Sequence, residues 1–188
     1  MEENCIAMKD RDTNLQSEQL RLENQYENYW EILKYNHDMI RFSELKAGLV
    51  ISILGVLFSL LFQSIEKIKP LLEGNIILMF ASGVFVLLTI VSVLYSFRCF
   101  IPRFENKNPT SMIFFGDIVS DFPDFNAYYD FAQKTLNSEA DFSLQLAEQI
   151  HTNASIATRK FKAVSKSIRF LLWAVMCLIL LVCLIYMI

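Results

Sequence analysis

Three blocks of the chain carry no charged residue: Ala47 to Ile65 over 19 residues, Gly74 to Phe97 over 24, and Phe170 to Ile188 over 19. At about 1.5 Å of rise per residue, each is long enough as a helix to cross a hydrocarbon core of roughly 30 Å. The apolar residues arrive in blocks and not in strand-like alternation. A chain of 188 residues cannot surround three such helices with protein, so the pattern predicts three transmembrane helices.

The flanking segments read as helices too. The first Gly is Gly48 and the first Pro is Pro70, so nothing breaks a helix running from about Leu15 through the first span. Along it Tyr26, Trp30, Leu33, His37, Ile40, Glu44 and Ala47 recur at steps of 4 and 3, the seam of a helix that packs on a neighbour. Lys34, Asp38 and Arg41 occupy a separate charged face. The stretch "QSIEKIKPLLEGN", with Pro70 and Gly74, suits a hairpin turn. Arg98 to Pro123 predicts loop and one short amphipathic helix. From about Phe125 Gly and Pro vanish again, and Phe142, Leu146, Ile150, Ala154, Ala157, Phe161, Val164 and Ile168 form a stripe at steps of 4 and 3 that leads into the third span.

The expected fold class is therefore all-α, an integral membrane protein whose helical cytoplasmic stalk is continuous with the first and third spans. Its divisions are a leader and stalk helix over 1–46 and a transmembrane hairpin over 47–97, with spans at about 47–65 and 74–97. A loop, short helix and second stalk helix follow over 98–169, then the third span over 170–188.

Charge sets the expected orientation. Of 17 Lys and Arg only Lys67 and Lys69 lie between the first two spans, leaving 17 − 2 = 15 with the leader and residues 98–169. The positive-inside rule places that side, N-terminus included, in the cytoplasm. Residues 1–20 are polar and show no cleavable signal peptide, so the first span is expected to direct insertion. A net charge of −3 and the absence of a basic run interleaved with aromatics argue against DNA or RNA as a partner. Cys5, Cys99, Cys177 and Cys183 lack any framework spacing and read as structural thiols.

Catalytic signatures are missing. The chain has no phosphate loop, no G-x-S-x-G and no H-E-x-x-H, and its two histidines, His37 and His151, stand 114 residues apart. No enzyme activity, metal or cofactor is expected. The aspartates of "FFGDIVSDFPDF" (Asp117, Asp121, Asp124) read as caps and loop solvation. Arg41, Arg159, Lys162, Lys166 and Arg169 read as membrane-proximal cations that follow topology and reach headgroups. What remains is polar and lies on or beside the seams: Asn36, His37, Ser43, Glu44 and Lys46 on the first helix, Gln149, Asn153 and Lys160 on the second. Burying such groups costs roughly 1 to 3 kcal/mol for each one left unpartnered. They form either a self-satisfied network or a pocket that awaits a ligand.

Three segments carry a family likeness. "HDMIRFSELKAGLVISILGVL" holds an I-x-F-x-[DE]-x-K-A pattern leading into the first span, "MIFFGDIV" an aromatic-Gly-Asp-Ile element after the second, and "QIHTNASIATRKFKAV" a Q-I-x-x-x-[AS]-x-I-A-x-x-K-[FY] helix before the third. In order and placement, over about residues 20 to 188, the chain resembles the bacterial Pycsar effector transmembrane proteins. It departs from them at Glu44, where Asp is common. The resemblance implies an antiphage effector of the inner membrane that responds to a cyclic pyrimidine mononucleotide (cUMP or cCMP) and ends infection by breaking membrane integrity. No separate nucleotide-binding barrel is visible, so the stalk itself would be the sensor. A homo-oligomer in the lipid bilayer is expected, with Lys46 or Lys160 for the phosphate and Asn36, Gln149 or Asn153 for the base. The competing readings are a membrane-anchored coiled-coil scaffold that recruits a protein partner and an integral membrane enzyme.

Overall fold

A computed structural model describes residues 2–101 and 110–187. It comprises α1 (Glu2–Gln63), α2 (Ile65–Glu73), α3 (Ile76–Phe100), α4 (Phe115–Ser120), α5 (Phe125–Leu136) and α6 (Glu139–Met187), with no strand among the described residues. The fold is all-α. Stretches of α1, α3 and α6 are long and apolar enough to cross a membrane.

Helix α1 begins well before Leu15, because the polar leader also lacks Gly and Pro. The expected turn after the first span is itself largely helical. Pro70 sits inside α2, which ends within one further turn at Glu73, and Asn75 caps α3 by accepting from the Ile77 N–H at 3.0 Å. Part of the expected loop, 102–109, lies outside the described residues. Beyond it α4 is the one short helix expected before Pro123, but from Phe125 on there are two helices where one was expected. Asp124 caps α5 by accepting from the Ala127 N–H at 2.8 Å, and the helix closes at Asn137. Ser138 Oγ then accepts from the Asp141 N–H at 3.4 Å, so the 125–169 stretch divides at a capping serine and α6 starts afresh.

The chain forms two compact units, the first built from the described residues of 1–37 and 104–154. Here Leu146 is fully buried and Tyr26 packs on Phe142, ring centroids 5.1 Å apart. The Phe-Phe-Gly-Asp segment is tied down by polar bonds. Asp117 accepts from the Ser111 N–H at 3.0 Å, Gln145 from the Met112 N–H at 3.0 Å, and Tyr128 donates to the Met112 carbonyl at 3.2 Å. Hydrogen bonds from Ser120 and then Thr110 hold the exposed Asp121 carboxyl below its ordinary pKa. All three aspartates are thus caps or loop ties, as their setting suggested.

The second unit is built from the described residues of 38–103 and 155–188. Its core joins α1, α3 and α6 through Ala47, Cys99 and Val164, through Val50, Leu54 and Leu171, and through Leu78, Phe85, Ala174 and Leu181. Many large apolar side chains of this unit face outward, among them Phe62, Ile76, Phe80, Leu87 and Trp173. A water-facing surface does not carry such a continuous apolar cover, whereas a lipid-facing one does.

The seam of α1 is rotated from the one read in the sequence. The sheltered positions are Leu22, Tyr26, Tyr29, Leu33, Asn36, Ile40, Ser43, Ala47, Val50 and Leu54, still at steps of 4 and 3. Tyr26, Leu33, Ile40 and Ala47 are shared with the expected seam, but Trp30 and His37 are exposed and Glu44 only half-buried. The reason is physical. A 4-3 repeat read from shared positions allows either neighbour as the alternate contact, and the structure seats the small or neutral Ser43 and Asn36 where a carboxylate or imidazole would have cost more.

Candidate functional site

The polar residues of the seams recur at heptad spacing: Asn36 and Ser43 on α1, and Asn153, Lys160 and Ser167 on α6. In the first unit the Asn36 amide donates to the Ile150 carbonyl at 3.4 Å, and Gln149 donates to Asn153 one turn along the same helix at 3.3 Å. One hydrogen bond therefore links the two amides of α6. His37 and His151 are both exposed, and no cluster of metal-ligating side chains occurs among the described residues.

In the second unit Lys160 pairs with Glu44. The lysine side chain retains 11% exposure and the glutamate side chain 38%, so the lysine is the more sheltered partner. Lys46 is exposed, with its ammonium 5.0 Å from the centre of the Phe161 ring, a contact worth about 0.5 to 1 kcal/mol at such a site. Of these candidates, the structure thus brings together Glu44 with Lys160 and Gln149 with Asn153.

A buried serine cluster went unread in the sequence. Ser92 Oγ donates to the Ser167 carbonyl at 2.9 Å, Ser167 Oγ donates to the Ser92 carbonyl at 2.8 Å, and Ser96 Oγ lies 2.7 Å from Ser167 Oγ. All three serines are completely buried. Ser43 donates to the Ile40 carbonyl at 2.6 Å while Cys99 Sγ lies 3.8 Å from its hydroxyl. Small hydroxyl residues let helices approach closely and bind across the gap, the usual adhesive between helices in lipid. The signal was available as Thr89, Ser92, Ser96 and Cys99 at steps of 3, 4 and 3 inside an apolar block. No fully buried side-chain nitrogen or oxygen among the described residues lacks a partner, so the buried part of the seams is satisfied without a ligand.

Room for a ligand lies beside the seam. In the second unit a cavity of about 280 Å³ is lined by Tyr95, Arg98 and Ile101 of the α3 end and by Ile156, Arg159, Lys160, Lys162, Ala163 and Lys166 of α6. Among the described residues its lining has five cations and no carboxylate. Lys166 Nζ sits 5.4 Å from the Tyr95 ring centre, and Tyr95 stacks on Phe170 at 5.8 Å. In the first unit a cavity of about 400 Å³ among Thr110, Phe131, Lys134, Thr135, Asp141, Leu144, Gln145 and Glu148 has two carboxylates against one lysine, the opposite electrostatic character.

Residues 28–187 match the Pycsar effector protein domain family. The chain belongs to that family. It is also similar to the Pycsar effector protein PtPycTM of Propioniciclava tarda, 24% identical over 153 residues that cover 79% of this chain and 74% of the relative. No solved structure matches it. Membership in the Pycsar effector family, which is not a class of enzymes, supports the role of an antiphage defence effector. With three helices able to span a bilayer, this is a multi-pass membrane protein.

Proposed function

We propose that the protein is an inner-membrane antiphage effector that senses a cyclic pyrimidine mononucleotide, cUMP or cCMP, and responds by breaking membrane integrity, so that an infected cell dies before releasing phage. The observation that carries this reading is the family match over residues 28–187, which takes in all three candidate spans together with the helical segments between them. The orientation with a cytoplasmic N-terminus and a cytoplasmic 98–169 segment rests on the 15-to-2 distribution of Lys and Arg. It puts the polar helices where a nucleotide made in the cytoplasm would meet them.

Asn36, Gln149 and Asn153 are the proposed readers of the base, Lys46 and Lys160 those of the phosphate, with Glu44 holding Lys160 in place and His37 as an exposed flanking contact. Since the amides and Lys160 already have partners, a ligand there must exchange one set of bonds for another. Such an exchange shifts the helices only if the bound packing is preferred over the unbound one. Outward-facing Trp30, Ile32 and Tyr35, on a stretch otherwise rich in charge, support assembly into a homo-oligomer. The spans hold few polar groups, which favours a lesion formed on activation over a standing channel.

The test is infection itself. Cells carrying this protein with an active pyrimidine nucleotide cyclase should depolarise and die without releasing phage, whereas cells with a catalytically inactive cyclase should lyse with a normal burst. A normal burst in both would leave the protein as a membrane-anchored scaffold. Periplasmic activity of a reporter fused near Asn108 would overturn the orientation.

A further inference from the structure

The positive-inside rule accounts for the sign of the charges near the spans but not for their convergence. Arg159, Lys162, Lys166 and Arg169 recur at steps of 3, 4 and 3 along α6, and the first three face Arg98 of α3 across the 280 Å³ cavity. No Asp or Glu occurs anywhere after Glu148. Glu44, on α1, is engaged by Lys160. Like charges gathered around one hollow repel each other by an amount that an anion in the hollow would reverse. The walls are not those of a solvated face either. Tyr95, Ile101, Ile156 and Ala163 supply an apolar floor, and the Tyr95–Phe170 stack stands where the charge-free stretches begin, the depth at which tyrosines mark the boundary between water and hydrocarbon.

We infer that the cavity lined by Arg98, Lys162 and Lys166 is a binding site for a singly charged phosphodiester. A guanidinium fork and lysine point charges are the side chains that suit such an oxyanion, and a small volume with apolar walls suits a compact group attached to it. Two sources carry this chemistry at this level, a cyclic mononucleotide and the headgroup of an anionic phospholipid. The first source would make the cavity, which Lys160 also lines, the phosphate site of the sensor in place of Lys46, and rests on the function proposed above; the second stands without it.

The test uses the full chain in detergent, titrated separately with cUMP, cCMP, short-chain phosphatidylglycerol and short-chain phosphatidylcholine. Because Arg98, Lys162 and Lys166 are exposed, the triple variant Arg98→Gln/Lys162→Gln/Lys166→Gln should keep its thermal midpoint. It should bind the preferred phosphodiester at least tenfold more weakly. Lys34→Gln/Arg41→Gln, which removes exposed cations elsewhere, should bind like the parent. Preference for a nucleotide assigns the cavity to sensing, and preference for phosphatidylglycerol over phosphatidylcholine assigns it to lipid. Binding to none of the anionic probes, or equal binding by the triple variant, overturns the site. If the triple variant binds nucleotide as the parent does and still kills cyclase-expressing cells, only the cavity assignment falls; if no nucleotide binds and infected cells lyse normally, the sensing function falls with it.

Discussion

The Glu44–Lys160 pair makes an asymmetric prediction. The Lys160 side chain is 11% exposed and the Glu44 side chain 38%, so the two partners differ in what happens when the other is removed. Glu44→Gln leaves a largely enclosed cation with only an amide oxygen to accept from it. Exposed pairs contribute about 0.2 to 1 kcal/mol, and breaking a fully buried pair costs about 3 to 5 kcal/mol. A half-sheltered pair that retains one acceptor should lie between, at about 1 to 2 kcal/mol. Lys160→Met instead leaves a carboxylate that reaches water and fills the lysine's channel with apolar atoms, so its cost should stay below about 1 kcal/mol. For a chain of this size roughly 2 to 4 °C of midpoint accompany each kcal/mol. The glutamine variant should therefore melt about 2 to 8 °C low, and the methionine variant less than about 4 °C low. The double variant should fall within about 0.5 kcal/mol of Lys160→Met alone, because the stranded cation is gone. Thermal unfolding in detergent followed by helical circular dichroism reads all three. A Lys160→Met variant as destabilised as Glu44→Gln would refute the reasoning, since the buried member of the pair would then not be the lysine.

Ser167→Ala should cost only about 0.6 kcal/mol, and at most about 1.7, because Ser92 keeps the Ser167 carbonyl; Ser167→Leu must overfill a closed site and should cost clearly more, and equal midpoints would contradict the packing. Gly116→Ala places a methyl 2.5 Å from Phe114 Cε1 and should destabilise by about 1 kcal/mol or more as the ring is displaced, so an unchanged midpoint would mean the ring yields freely. Leu146→Ala empties a fully buried site and should cost about 2 to 5 kcal/mol; a loss below about 1 kcal/mol in urea titration would show that the first unit does not close around it.

The membrane-spanning architecture was legible because charge-free blocks of 19 and 24 residues have few structural uses other than crossing a bilayer. The seam of α1 was legible in period but not in phase, whereas every position of the stripe expected on α6, from Phe142 to Ile168, is sheltered. Tyr26, Leu33, Ile40 and Ala47 are common to both readings, whereas the choice of Ser43 over Glu44 depends on which neighbour each meets across the interface. Inside the apolar blocks phase is invisible, since every face is hydrophobic. Lys160 and Glu44 were both singled out, but their pairing joins residues 116 positions apart and no local pattern encodes it. The division between α5 and α6 was encoded in Asn137 and Ser138 and escaped notice because neither is a Gly or Pro. The basic cavity was hidden differently. Its cations look individually like topology markers, and only the meeting of Arg98 with the α6 face turns them into a site.

The central claim is that a cyclic pyrimidine mononucleotide turns this membrane protein into an agent of membrane failure. It is tested most directly by following entry of a membrane-impermeant dye into cells that express the protein at fixed level while a pyrimidine nucleotide cyclase is induced. The account predicts rapid dye entry with the active cyclase and none with its catalytically inactive form. Equal dye entry in the two, or none in either while the nucleotide accumulates, would contradict it.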